Sequence, residues 1–319
     1  MENKLIVSSS PHIRGKASTQ RIMLDVIIAL LPAAIFGIYF FGLKAALVIL
    51  VTVISCVASE YLTRVILKRE PTISDLSAVV TGVLLALNLP PTIPLWMAAV
   101  GGVVAIVIVK QLFGGLGQNF MNPALVARVF LLNAFAKQMT TFITPGPDAI
   151  SSATPLFQMK EFVKGNEANL SGYWDLFVGN ISGCIGETSV IALLIGGIYL
   201  LFRRVITLDI PVAFIGSVAL ITWIFGGQTS FTGDWIYHVL SGGLMIGAFF
   251  MATDYATSPV TFKGRIIMGI GCGVLTAVIR LYTSSPEGVS YAILLMNICV
   301  PLIDRYTVPK SFGGEKAIA

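Results

Sequence analysis

The sequence predicts an all-α polytopic membrane protein of about ten transmembrane helices in two inverted five-helix repeats. Three observations carry this prediction. Of 319 residues, 55% are hydrophobic, 31 are glycine and only 12% are charged, whereas soluble domains run at roughly 45–50% apolar with glycine included and about 25% charged. The apolar stretches are continuous, not alternating as in a lipid-facing β-barrel. One long connection divides ten apolar stretches into two sets of five. Together these exclude a soluble globular enzyme, a disordered chain, a collagen-like fibre and a coiled coil.

The elements follow in order. Residues 1–21 are mostly polar and carry Lys4, Arg14, Lys16 and Arg21. No short apolar region with a small-residue cleavage site precedes them, so the expectation is a cytoplasmic N-terminal segment and not a cleaved signal peptide. Ile22–Phe41 and Leu43–Val65 each approach or exceed the ~20 residues of a straight span, and Lys68-Arg69 follows them. Leu76–Leu89 is shorter and stops at Pro90-Pro91, which cannot continue a helix. Leu95–Phe113 begins after Pro94 and ends at Gly114-Gly115; Phe120–Phe135 closes a first repeat over 22–135. Residues 136–187 form the long connection. Val190–Phe202 ends at Arg203-Arg204 and Ile210–Phe225 at Gly226-Gly227; Val239–Ala252, Ile266–Tyr282 and Val289–Ile303 complete a second repeat over 188–304. Residues 305–319 are a tail. The short third and eighth segments stand in corresponding places and read as broken helices around a midplane site.

Lysine and arginine orient the chain. With the N-terminus inside and ten alternating spans, 15 of the 21 fall on the inner side, 5 on the outer side, and Arg128 lies within a segment. Basic loops face the cytoplasm, so both termini are placed inside and 136–187 outside. The net charge of +5 therefore reads as topology beside membrane lipid, with no nucleic-acid partner. At an offset of 171 residues, Gly102-Val103 meets Gly273-Val274, Gly117 meets Gly288 and Phe120 meets Tyr291. Five spans per half invert one half relative to the other, a common transporter plan; chance likeness in apolar sequence is the alternative.

Cys56, Cys184, Cys272 and Cys299 are scattered. No metal site, zinc site or iron–sulfur cluster is expected of this chain alone. The two histidines, His12 and His238, argue against haem held between helices. Asp25, Glu60, Arg128, Asp254 and Arg280 lie within or beside apolar segments, where ionisable groups are functional candidates by default. Trp96, Trp174 and Trp235 read as interfacial anchors.

The long connection contains Asp148-Ala149-Ile150-Ser151-Ser152-Ala153-Thr154-Pro155. By composition this is a polar turn. It also resembles the pattern D-x-x-[ST]-G-A-T that accepts FMN as a phosphoester on threonine: Asp148, Ser151, Ala153 and Thr154 match, and Ser152 replaces the usual glycine. Other blocks resemble one family in order. They are Ser10-Pro11-His12-Ile13, Thr81-Gly82 with Leu85 through Pro91, Gly114 through Ala124, Met251-Ala252-Thr253-Asp254 with Thr257-Ser258-Pro259, and Pro286 through Asn297. That family contains the D subunits of the ion-translocating Rnf complex, a ferredoxin:NAD+ oxidoreductase, and the B subunits of sodium-pumping NADH:quinone reductase. The short stretch before the first span resembles the former.

The resemblance implies a urea-transporter-like fold, with FMN esterified to Thr154 on the outer side by a flavin transferase. Only a hydroxyl can take that ester. It implies a second, non-covalent flavin, riboflavin, nearer the cytoplasm, with Asn119 and Asn122 as the matching residues; a helix cap is the equal alternative for these two. It implies the A, B, C, E and G subunits of Rnf as partners in a bacterial or archaeal cytoplasmic (inner) membrane. Electrons would run from ferredoxin through the flavins to NAD+, coupled to Na+ or H+ translocation, with no complete activity in this chain alone. A quinone reductase subunit and a non-redox channel on the same scaffold are the competing readings.

Overall fold

The computed structural model describes residues 18–146, 152–166, 170–283 and 287–309. Asp148, Ser151, Pro286, the N-terminal motif at Ser10–Ile13 and most of the tail lie outside the described residues. Among those described, all elements are helical. Each of the ten predicted segments contains a helix.

In the first half, α1 (Thr19–Phe41) is capped by Ser18, whose hydroxyl accepts from Arg21 N, and α2 (Leu43–Ile66) follows one glycine later. A single 3-10 turn precedes α3 (Ser77–Leu87), with Leu76 left-handed at φ 62° at the junction. Then come α4 (Leu95–Val103), which widens into a π-helical stretch at Val104–Gln111, and α5 (Pro123–Ala134). The long connection is not a plain loop: it carries α6 (Ala136–Met139), α7 (Pro155–Val163) and α8 (Tyr173–Val178). The second half holds α9 (Val190–Phe202), α10 (Asp209–Phe225), α11 (Trp235–Leu240), α12 (Leu244–Ile246) running into a π turn at Gly247–Met251, α13 (Phe262–Tyr282) and α14 (Val289–Thr307).

The protein is apolar on its surface as well as in its core. Ile35, Ile66, Phe202 and many other large apolar side chains are exposed along the helices, and a surface this apolar is stable only against lipid. Four helices, α1, α2, α13 and α14, are each long and apolar enough to cross a bilayer. The chain is a multi-pass membrane protein.

The packing repeats. α2 lies against α4 as α10 lies against α13, while α1 pairs with α9 and α5 with α14 across the halves. Small residues let α1 and α9 approach closely: a Cβ on Gly196 of α9 would come within 2.0 Å of the Ala29 carbonyl oxygen, and farther along α1 one on Gly37 would come within 2.7 Å of the Ile185 carbonyl oxygen in the loop before α9. In lipid, such close backbone approach is what holds helices together.

Two broken helices end inside the protein, where their last carbonyls have no water to bind. At the end of α3, Leu87 and Leu89 carbonyls accept from Gly186 N and Ile185 N, and Arg128 on α5 donates to Asn88 Oδ1 at 2.8 Å. At the end of α11, Arg280 on α13 donates to the carbonyls of His238 and Ser241. An arginine thus completes the negative end of each half-helix. This revises the charge count in two places. Arg280 is a buried helical residue and not an outer-loop charge, and Lys110 is likewise buried in the π stretch. One residue leaves each side, so the inward bias keeps its sign.

Candidate functional site

Two clefts lie at opposite ends of the bundle. The larger encloses about 90 Å³. Its walls come from the start of α1 (Ile22, Met23), the start of α3 (Ser77, Thr81), the end of the π stretch (Lys110), the start of α5 (Asn122) and the segment after the second break (Asp254). All of these ends share one side of the bundle, the side that the charge count expects to face the cytoplasm. The smaller encloses about 10 Å³ and is lined by Thr154, Pro155, Leu156, Ser182, Glu187, Gly242 and Glu287, at the opposite end, which the charge count expects to face outward.

Thr154 sits at the N-cap of α7, extended at φ −66°, ψ 152°, with Pro155 as the first helical residue. Its hydroxyl makes no capping bond. The first-turn N–H groups of Leu156 and Phe157 have no carbonyl within the helix, and a helix start favours negative charge. Neighbouring bonds fix the strand before it: Ser182 Oγ donates to Ala153 O at 2.7 Å and Gln158 Nε2 to the same oxygen at 3.3 Å. A phosphoester on Thr154 therefore has a free oxygen to form on and unspent donors to face. At about 10 Å³ the outer cleft has room for about one water, so a whole flavin does not fit within it and would have to lie outside it.

The outer cleft is backed by charge. Arg128 Nη1 lies 2.8 Å from Glu187 Oε1 and Nη2 lies 2.7 Å from Glu287 Oε2. Cys184, Glu187 and Glu287 bring ligand-type atoms within 4.8 Å of one another, but the guanidinium already occupies the cationic place among them. Sequence reasoning singled out Arg128 and missed both glutamates as its partners: Glu187 is a loop residue with no motif around it, and Glu287 lies in the Pro286 through Asn297 block, which says nothing of a contact with Arg128.

In the inner cleft, Asn122 caps α5: its Oδ1 accepts from Ala124 N and Leu125 N at 3.1 and 3.3 Å. Its Nδ2 reaches Met251 O at 3.5 Å. Asn119 Nδ2 donates to Met121 O at 3.1 Å, which leaves its Oδ1 for another partner. Both line the cavity, so cap and wall are combined in Asn122. Behind them Lys110 Nζ donates to Glu60 Oε2 at 2.8 Å and to Ser77 Oγ at 2.6 Å, and Thr72 Oγ1 donates to Glu60 Oε1 at 2.7 Å. Asp25 does not stand alone either: it accepts from Tyr199 Oη and from Arg203. Mostly apolar walls with a few convergent polar groups are the ordinary make-up of a small-molecule site. Apolar Val26, Leu84, Phe249 and Phe250 face these groups, and such walls fit a planar ring system.

Comparison with known proteins identifies the family. The model of the NQR2, RnfD, RnfE family matches residues 6–313. The chain is 52% identical over 318 residues to the D subunit of the Na(+)-translocating ferredoxin:NAD(+) oxidoreductase complex of Acetobacterium woodii, covering 99% of this chain and 97% of that one. It is 46% identical to the D subunit of the proton-translocating ferredoxin:NAD(+) oxidoreductase complex of Clostridium ljungdahlii, over 99% and 98% of the two chains. Over 93% of each chain it is 41% identical to the D subunit of the ion-translocating oxidoreductase complex of Stutzerimonas stutzeri.

Proposed function

This chain belongs to the NQR2, RnfD, RnfE family, and from that premise we propose that it is the D subunit of an ion-translocating ferredoxin:NAD+ oxidoreductase. It acts within an inner membrane, beside other Rnf subunits, as an electron-transfer subunit coupled to Na+ or H+ movement. Thr154 would hold FMN through its hydroxyl, and the inner cleft would hold riboflavin against Asn119 and Asn122. Bound flavin supplies redox chemistry that takes one electron or two.

This chain's own contribution is placement. α7 offers a phosphoester the positive end of a helix, and Ser182 and Gln158 keep the preceding strand in register. The apolar bundle between the clefts excludes water. A covalent tether keeps the outer group at high effective concentration where a free one would diffuse away. The observation that carries the covalent reading is the uncapped Thr154 hydroxyl at the start of α7.

The test is intact mass after co-expression with a flavin transferase. The chain should exceed its polypeptide mass by one FMN less one water, and its denatured band should fluoresce. Thr154→Ala should lose both signals. Covalent flavin retained in that variant would overturn the assignment.

A further inference from the structure

The outer cleft contains a feature that flavin attachment does not use. Glu187 precedes α9 and Glu287 precedes α14, and the fold brings both carboxylates onto the one guanidinium of Arg128, at 2.8 and 2.7 Å. One cation faces two anions. Among the other charged or titratable neighbours, only Arg280 acts on that balance. Cys184 Sγ stands 3.7 Å from Arg128 Nη2. Arg280, on α13, is engaged by two backbone carbonyls and acts on the pair only at a distance. His238 adjoins Arg280 and not the glutamates. Glu187 Oε1 makes no hydrogen bond of good geometry, although it faces the guanidinium. Gly243 lacks the Cβ that would fall 2.6 Å from that oxygen.

Two carboxylates that share a site do not both ionise readily, and one holds a proton to higher pH. Burial first, and then the charge of Glu187, push the Glu287 carboxyl up to about 7, with Arg128 opposing. The Glu287 side chain is 19% exposed and Glu187 only 3%, so the proton has a route to water through Glu287. Both residues line the same cleft as Thr154.

We propose that Glu187 and Glu287, clamped by Arg128 beside Thr154, form a shared proton site that takes up one proton from the outer aqueous phase when an electron arrives at the carrier tethered to Thr154. The coupling rests on the reading of Thr154 as the anchor of an electron carrier; the proton site itself does not. A one-electron reductant adds one negative charge to the carrier. One carboxylate oxygen forms an O–H bond with a proton from water, and the added charge is cancelled. When the electron leaves, the O–H bond breaks and the proton returns to the outer side. The low-dielectric cleft makes the two events interdependent, because a charge added near the pair is felt there far more strongly than in water.

The experiment has two arms. In the first, the purified complex, loaded by a flavin transferase, is titrated with dithionite from pH 6 to 8 while the absorbance of the Thr154-linked flavin is followed. The midpoint potential should fall with pH, by up to about 59 mV per unit for one proton per electron, and Glu287→Gln should flatten that slope. Protons taken by the flavin itself contribute equally to both proteins, so the difference reads the pair. Equal slopes overturn the coupling. In the second arm, the unmodified protein, expressed without the transferase, is titrated by infrared spectroscopy. A protonated carboxyl stretch should disappear with a midpoint of about 7 and should be missing from Glu287→Gln. A wild-type protein without that titrating band overturns the proton site, with no variant needed. If the loaded protein carries no covalent flavin, the attachment reading fails while the second arm still decides the site.

Discussion

Lys110→Met gives the sharpest test of how this bundle tolerates charge. The Lys110–Glu60 pair is 2.8 Å apart, with side chains 2% and 0% exposed. Removing the ammonium leaves Glu60 with only Thr72 as donor. Breaking a buried pair by deleting one partner costs about 3–5 kcal/mol. At 1.4 kcal/mol per tenfold, that lowers the folded-to-unfolded ratio by roughly 10²- to 4 × 10³-fold. Lys110→Met/Glu60→Gln removes both charges and keeps an oxygen for Thr72, and should lie within about 1.5 kcal/mol of the parent, because paired removal is often neutral. The assay is unfolding in mixed micelles against a denaturing detergent, followed by tryptophan fluorescence. The Lys164–Glu161 pair in the outer connection serves as control: it has the same chemistry with Lys164 more than half exposed, and Lys164→Met should leave the unfolding midpoint unchanged. A double variant no more stable than Lys110→Met would refute the reasoning, since the loss would then come from packing and not from a stranded charge.

Gly196→Ala should cost about 1–3 kcal/mol by the same assay, because its Cβ meets the Ala29 carbonyl oxygen at 2.0 Å; Gly216→Ala, with nothing within 4 Å, should be neutral or gain up to about 1 kcal/mol. Asn119→Leu/Asn122→Leu should lower extractable flavin while the Thr154-linked flavin stays. Two unsatisfied bonds at roughly 1–3 kcal/mol each weaken binding by about 25- to 2 × 10⁴-fold, and undiminished extractable flavin would confine Asn122 to capping α5 and Asn119 to its bond with the Met121 carbonyl. A cysteine placed beside Thr154 should react with a membrane-impermeant thiol reagent in intact cells, and one in the Lys68–Arg69 turn only after permeabilisation; the reverse pattern would invert the topology.

The sequence exposed what depends on local pattern. The lengths of α1, α2, α13 and α14, the two short segments at α3 and α11–α12, and the paired halves follow from apolar runs and from glycine and proline punctuation. Helices in the long connection escaped notice because α7 and α8 are short and too mixed in composition to stand out. Pairings between distant residues were beyond reach. Glu60 and Arg128 were visible as charges in apolar surroundings, yet nothing local ties Glu60 to Lys110, fifty residues on, or Arg128 to Glu187 and Glu287. Lys110 and Arg280 were misplaced among loop charges because each stands near a segment end, where a count by sides cannot tell a buried side chain from a wet one. Asn122 was legible as a cap from Asn-Pro at the start of a helix; its place in a cavity wall depended on α12 and the π turn coming from the other half.

The glycine–alanine seam between α1 and α9 has a mechanical consequence. Where backbone rests on backbone with no side chains between, there is no cushion of rotamers to absorb sliding, and any shift along the seam drives Gly196 into the Ala29 carbonyl. The two halves are keyed together like parts on one spline. Large rocking of one half against the other, the usual motion of paired-repeat carriers, would have to shear that joint. Relative motion is therefore easier on softer ground, the interrupted ends of α3 and α11, where two arginines and a few loop amides can exchange partners while the frame stays still.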